Sequence, residues 1–302
     1  MLKFVTLVCL LGLAAGGPPV TKSREEIEAF RTFLETTRRD GPSLEERMAS
    51  NPQASAWENS GKYQGDIILD DEQINALVEE FASGRNAYIW PNTKWPDDVV
   101  VWEFAEGVFN SDQERAIIEA INDIERNSCV RFRLRTPSDQ NYVRITNRQD
   151  GCYASVGYWS TRGVHTLNLA NGCFRHVVII HEWLHVLGFL HMQSTYNRDD
   201  YVRIMWENIE SGKEHNFDKY ESNLVSNHAL PYEYTSCMHY GPYGFSVNGQ
   251  PTIVPLWPFD GEMGQTNEVT ALDWLRLNRH YNCPGAWGKD VAPQTNLQDI
   301  SA

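Results

Sequence analysis

Residues 181–191 read HEWLHVLGFLH. His181 and His185 are four apart, so on a helix they project from one face a single turn apart. Two imidazoles at that spacing hold one metal ion, and Glu182 beside them is placed to take a proton from water on that metal. Gly188 can end the helix by adopting a positive φ, and the returning chain then brings His191 to the same point. Three neutral imidazoles with an open position form a catalytic zinc site, whereas structural sites are closed by a fourth protein ligand. An HExxH pair alone is a common accident; a third histidine behind a glycine at this offset makes the string far more specific. His176 is out of register with the pair and reads as a helix-start residue. His165, His215, His228 and His280 have no spacing argument and read as packing or surface residues.

A second stretch, SCMHY at 236–240, supplies further candidates. Met238 offers a soft, apolar floor to a metal site. The Tyr240 phenol offers a weak ligand or a hydrogen-bond donor to an oxyanion.

These residues need elements to hold them. The apolar run 175–187 predicts a buried helix. Ser23 and Glu26 open a helix over 23–36 with Ile27, Phe30 and Leu34 on one face. Ile74, Leu77, Val78 and Phe81 predict a second over 71–82, closed by Gly84. A third is expected over 112–126, with Ser111 and Glu114 as its capping box, and a last one near 268–280. Strands are expected at 99–104, 130–135, 143–146 and 166–169. Residues 50–65, rich in Asn, Ser and Gly, read as an extended linker, and the chain beyond 192 as irregular.

The chain has 302 residues and a net charge of −14. That charge is a poor match for nucleic acid or an anionic membrane, so neither is expected as a partner. Lys3 is followed by FVTLVCLLGLAA, too short to span a bilayer, with small residues before Gly17. Residues 1–16 therefore read as a secretory signal peptide, which implies a secreted, extracellular protein. Five cysteines remain after it: Cys129, Cys152, Cys173, Cys237 and Cys283. An oxidising compartment favours disulfides, and the odd count leaves one thiol over.

Together, HEWLHVLGFLH, RDDYV and SCMHYG resemble the astacin family of secreted zinc metalloendopeptidases, in the metzincin clan. RNAYIWPN, CVRFRLRT, GCYASVG with NGC, ENI and NRHYNC agree, so the resemblance covers roughly 86–283. It implies an α+β fold: a metzincin-like two-lobed catalytic domain with a twisted sheet and active-site helix in the N-terminal lobe, a largely irregular C-terminal lobe, and a small helical propeptide before it. It implies one zinc ion on His181, His185 and His191. Glu182 would be the general base acting through zinc-bound water, Tyr240 a fifth ligand that swings to stabilise the transition state, and Met238 the centre of a methionine turn. YQGD at 63–66 resembles the family's F-x-G-D motif, which makes Asp66 a zymogen switch that caps the zinc. The family's disulfides map onto Cys129–Cys283 and Cys152–Cys173, leaving Cys237 as a small buried thiol. The expected organisation is signal peptide 1–16, propeptide 17–85, protease domain 86–283 and a C-terminal tail 284–302. Cleavage between Arg85 and Asn86 would suit a trypsin-like activating protease. The expected product is a monomer acting on protein or peptide substrates.

The resemblance breaks at Met192, where the family usually has a glutamate that meets the freed N-terminal amine. Thr195 and Asn197 also depart from the pattern, and WPNTKWPDDVVVWEF is longer than usual. The zinc ligands, base and tyrosine are all present, so an active enzyme with an altered N-terminal anchor is expected. The alternative is a catalytically silent, zinc-bearing secreted protein that binds peptides.

Overall fold

The computed structural model of the chain describes residues 22–83, 94–220, 222 and 225–288. The signal-peptide reading of 1–16 and the Arg85–Asn86 junction lie outside them. The leading segment contributes α1 (Arg24–Thr37), α2 (Leu44–Ser50) and α3 (Asp71–Ser83). Capping boxes on Ser23 with Glu26, and on Ser43 with Glu46, start the first two. Each satisfies backbone donors that the first helical turn leaves open. α1 and α3 pack through Phe30 and Phe81, whose rings stack at 4.4 Å.

The remaining chain forms two lobes. In the first, β1 (Val99–Phe104), β2 (Arg131–Leu134), β3 (Tyr142–Thr146), β4 (Cys152–Ala154) and β5 (Val164–Leu169) make one sheet in the order β2-β1-β3-β5-β4. The pairs β1·β2, β1·β3 and β3·β5 are parallel, and β4 runs antiparallel to β5 at the edge. α4 (Ser111–Asn127) and α5 (His176–Val186) cover the sheet. Ile117, Ala120, Ile121 and Ile124 of α4 share one buried cluster with Val143, Ile145, Leu167 and the apolar face of α5. α4 starts one residue earlier than expected. Asn110 is its cap and Gln113 its reciprocal partner, because the Asn110 side chain accepts from the amides of both Asp112 and Gln113.

Past His191 the second lobe is mostly turns. It contains a short antiparallel pair, β6 (Val202–Ile204) with β7 (Ile253–Pro255), and α6 (Ala271–His280). Its own buried cluster includes Met192, Val202, Ile204, Phe217, Tyr232 and Tyr240. Cys129–Cys283 ties the end of α6 to the first lobe, and Cys152–Cys173 joins β4 to the turn before α5. Cys237 is a buried free thiol. Among the described residues, no helix is long and apolar enough to cross a membrane.

The expectation of an extended linker over 50–65 fails. Trp57, Glu58, Asn59, Ser60, Lys62, Tyr63 and Gln64 are all buried. The segment is polar because it fills a polar cleft, where Ser55, Glu58, Asn59, Ser60 and Lys62 find hydrogen-bond partners instead of water.

Candidate metal centre

α5 carries His181 and His185 on one face, and every residue from Val177 to Val186 is buried. Gly188 takes φ 104° just past the helix, a conformation that costs glycine little. The chain then returns, and His191 completes the set. His181 Nδ1 lies 2.7 Å from the carbonyl of Cys237, and His185 Nδ1 lies 2.8 Å from that of Phe189. Each carbonyl requires a proton on Nδ1, which leaves the Nε2 lone pair free for a metal.

Asp66 is the fourth member of the group. Its Oδ2 lies 2.9 Å from His181 Nε2 and 3.2 Å from His191 Nε2, and its Oδ1 lies 3.4 Å from His185 Nε2. The two helix imidazoles approach to 3.1 Å between their Nε2 atoms. All four side chains are buried. Separations of this size are the edges of a tetrahedron with ligand bonds of about 2 Å. Oδ1 of Asp66, both oxygens of Glu182 and Nδ1 of His191 are buried with no hydrogen-bond partner among the described residues. Orphaned polar atoms around converging Nε2 lone pairs fit a divalent cation of zinc's size and ligand preference.

The electrostatics agree. Burial lowers the pKa of His191 to about 4 and also lowers that of His181, so both imidazoles are neutral, as ligands must be. Burial, and then the Asp66 charge, push Glu182 well above the usual carboxylate range.

Asp66 reaches the site through a tight turn. Tyr63 and Ile67 exchange backbone hydrogen bonds of 2.9 and 3.1 Å, as do Lys62 and Gly65 at 3.0 and 3.2 Å. Gly65 takes φ 83°, and a Cβ there would sit 3.1 Å from the Trp57 carbonyl oxygen, so the turn needs glycine twice over. The chain then lies on the exposed edge of the sheet. The Ala154 amide donates to the Asp66 carbonyl at 2.9 Å, and the Ile68 amide donates to the Ala154 carbonyl at 3.0 Å. This is strand addition to β4, running parallel to it.

Several contacting residues carried no signal in the sequence. Trp57 lies flat on His181, with centroids 4.2 Å apart and planes 9° apart. Glu58 accepts from the Gly241 amide at 2.7 Å, and Lys62 meets Asp150 at 2.8 Å in a buried ion pair. Asp273 on α6 takes the Ser236 hydroxyl at 2.6 Å and the Cys237 amide at 3.0 Å, which fixes the 236–240 turn. Within that turn, the Met238 carbonyl accepts from the Met192 amide at 2.8 Å, and the Tyr240 ring stands 4.7 Å from that of His191. The other histidines stay outside the group. His176 opens α5 and faces Asp123 at 3.1 Å. His165 accepts from the Trp159 amide, His215 packs on Phe33, and His228 and His280 pack on Phe189.

Comparison with known proteins gives the same picture. The family model described as Astacin, a peptidase family, matches residues 88–282. Zinc metalloproteinase nas-4 of Caenorhabditis elegans is 36% identical over 232 residues, which are 76% of this chain and 72% of that protein. Zinc metalloproteinase nas-13 of the same organism is 34% identical over 249 residues, 80% of this chain but 54% of that longer protein. Among solved structures, high choriolytic enzyme 1, a hatching enzyme zinc-protease from Oryzias latipes (Medaka fish), superposes with a TM-score of 0.57 at 32% identity. The match covers 64% of this chain and 94% of that one.

Proposed function

The chain belongs to the astacin family of zinc metallopeptidases, and from that premise we propose that it is a secreted endopeptidase made as an inactive precursor. The observation that carries this reading is the convergence of the Nε2 atoms of His181, His185 and His191 on the carboxylate of Asp66 in a buried site. The three imidazoles hold zinc, and Asp66 occupies the position that a reacting water would need. Residues 17–85 are the propeptide, and release follows cleavage after Arg85 by a trypsin-like protease. Secretion accords with the apolar run at the N-terminus and with the two disulfides.

When bound, zinc supplies Lewis acidity, which polarises a carbonyl and acidifies water. The chain supplies the rest. The edge of β4, vacated by Asp66–Ile68, takes the backbone of a protein or peptide substrate. Glu182 removes the proton from the attacking water and delivers it to the leaving amine. Tyr240 donates a hydrogen bond to the oxyanion that forms at the carbonyl. The Cys237 and Phe189 carbonyls keep His181 and His185 in the required tautomer. Met238 lies in the turn that sets Tyr240 and the Cys237 carbonyl in place.

The test uses the full-length chain, treated with trypsin and given an unfolded protein substrate with and without a zinc chelator. Chelator-sensitive cleavage is expected, with none from Glu182→Gln protein that still holds one zinc per chain. Chelator-resistant cleavage, turnover by the Glu182→Gln variant, or an inert zinc-loaded wild type would overturn the reading.

A further inference from the structure

Arg162 lies in the connection between β4 and β5, on the rim that the leading segment covers, and its side chain is 8% exposed. Its guanidinium meets Asp70 Oδ2 at 3.0 Å and donates to Gln73 Oε1 at 3.0 Å. Those two acceptors form the reciprocal cap of α3. The Gln73 amide donates to Asp70 Oδ1 at 2.7 Å, and the Asp70 amide donates to Gln73 Oε1 at 2.9 Å. Its other terminal nitrogen, Nη1, is buried with no hydrogen-bond partner among the described residues. The guanidinium opens on a cavity of about 400 Å³ lined also by Ile68, Asp70, Ser155, Thr161 and Thr166. The charged groups that act on it, Asp70, Arg38 and Glu72, all belong to the segment before residue 84. Removal of that segment therefore leaves a rim arginine beside hydroxyl side chains, without the carboxylate that neutralises it here. Burying such a cation is costly unless an anion returns.

We infer that Arg162 forms an anionic side-chain subsite in the released enzyme, accepting a glutamate or aspartate of the substrate where Asp70 now sits. This rests on the proposal that residues 17–85 are cleaved away. Asp66 occupies the metal group, Asp66–Ile68 pair with β4, and Asp70 follows two residues beyond that pairing as the cap of α3. A substrate following that edge would thus place its acidic residue about four positions from the bond cleaved, roughly 13 Å along an extended chain. Arginine suits the task because its planar fork pairs with a carboxylate through two parallel hydrogen bonds.

The experiment compares trypsin-treated full-length wild type, Arg162→Gln and Arg162→Lys on matched peptides. Each pair carries Glu or Gln at one position, three to five residues on either side of a single cleavable bond. The readout is the Glu/Gln ratio of kcat/KM within each protein, which is independent of how much of each variant folds. Wild type should prefer Glu by on the order of tenfold at one position. The ratio should fall to about one in Arg162→Gln and be partly kept in Arg162→Lys. An equal ratio in wild type and Arg162→Gln, or no preference at any position, overturns the subsite. A wild type that cleaves none of the peptides overturns the proteolytic reading instead. The subsite is then decided by whether fluorescent Glu peptides bind the trypsin-treated wild type more tightly than Gln peptides, and Arg162→Gln equally.

Discussion

The hydroxyl of Tyr240 donates to the carbonyl of Gln64 at 2.6 Å, two residues before the carboxylate that sits among the three histidines. The leading segment thus presents a backbone carbonyl to the phenol and a carboxylate to the imidazoles at once. It engages Tyr240 and the three histidines together, while both oxygens of Glu182 stay without a hydrogen-bond partner among the described residues.

Tyr240→Phe keeps the ring and its contact with His191 but removes this donor. After trypsin treatment, kcat should fall by on the order of 10²-fold with KM little changed, because the lost bond forms only as charge develops on the substrate oxygen. Steady-state kinetics on one peptide decide it. A rise in KM alone would place Tyr240 in substrate binding.

Asp66→Ala removes the cap but leaves Trp57, Glu58 and Gln64 in the cleft. In protein protected from processing by Arg85→Gln, the uncleaved chain should show measurable hydrolysis where the Asp66 parent shows none. A chelator should also strip its zinc faster. If the uncleaved Asp66→Ala chain is as silent as its parent, the plug and not the carboxylate enforces latency.

Much of this arrangement is legible in the residues themselves. Period and capping place α1. Period places α3 and α4, although the α4 cap is Asn110 with Gln113 and not Ser111 with Glu114. An apolar run places α5, and the histidine spacing marks the face of α5 that holds the site. β4 is not legible, because three residues, Cys152–Ala154, are too few to show alternation. β6 and β7 are equally short, and their pairing joins segments about fifty residues apart. α2 had a readable start in Ser43 and Glu46, but only seven residues behind it. The stretch at 50–65, which plugs the cleft, misleads for a different reason. Its composition matches that of a solvated linker, and only the cleft shows that groups such as Glu58, Asn59 and Lys62 have protein partners.

Lys62→Met tests that plug. Lys62 and Asp150 are 2% and 8% exposed, so the substitution strands a buried carboxylate. Docking of the leading segment should weaken by about 3 kcal/mol. The urea midpoint of the full-length chain should fall, and trypsin should release the segment faster. The trypsin-treated enzyme should match wild type in stability, since it no longer contains residue 62.

Acid should destabilise the fold from about pH 6.5 downward. Burial lowers the pKa of both His165 and His280 from 6.5 to about 3. Below 6.5 the unfolded chain takes up protons that the folded chain refuses, so stability rises with pH in this window and is fully present above it. Urea midpoints at pH 7.5, 5.5 and 4.5 should decline in that order. His165→Asn should narrow its deficit against wild type as pH falls. A constant deficit would mean that His165 is not neutral in the fold.

Met192 follows the third histidine and is 6% exposed among Val202, Ile204, Phe217, Tyr232 and Tyr240. Its backbone amide already serves the Met238 carbonyl, so the side chain has only packing to contribute. A glutamate here would bring a carboxylate into an apolar cluster. Met192→Glu should therefore lower the stability of the full-length chain by about 3 kcal/mol, the order of cost for an unpaired buried charge. Met192→Leu, which preserves volume, should cost under about 1.5 kcal/mol. If glutamate is instead neutral or stabilising, a polar partner reaches this position and the lobe is not organised around an apolar side chain at 192. Activity separates the two cases further. A purely structural defect lowers the fraction of folded enzyme and leaves kcat per active site unchanged, as titration with a tight zinc-directed inhibitor would show. A change in kcat itself would mean that residue 192 acts on the neighbouring His191 or on Tyr240.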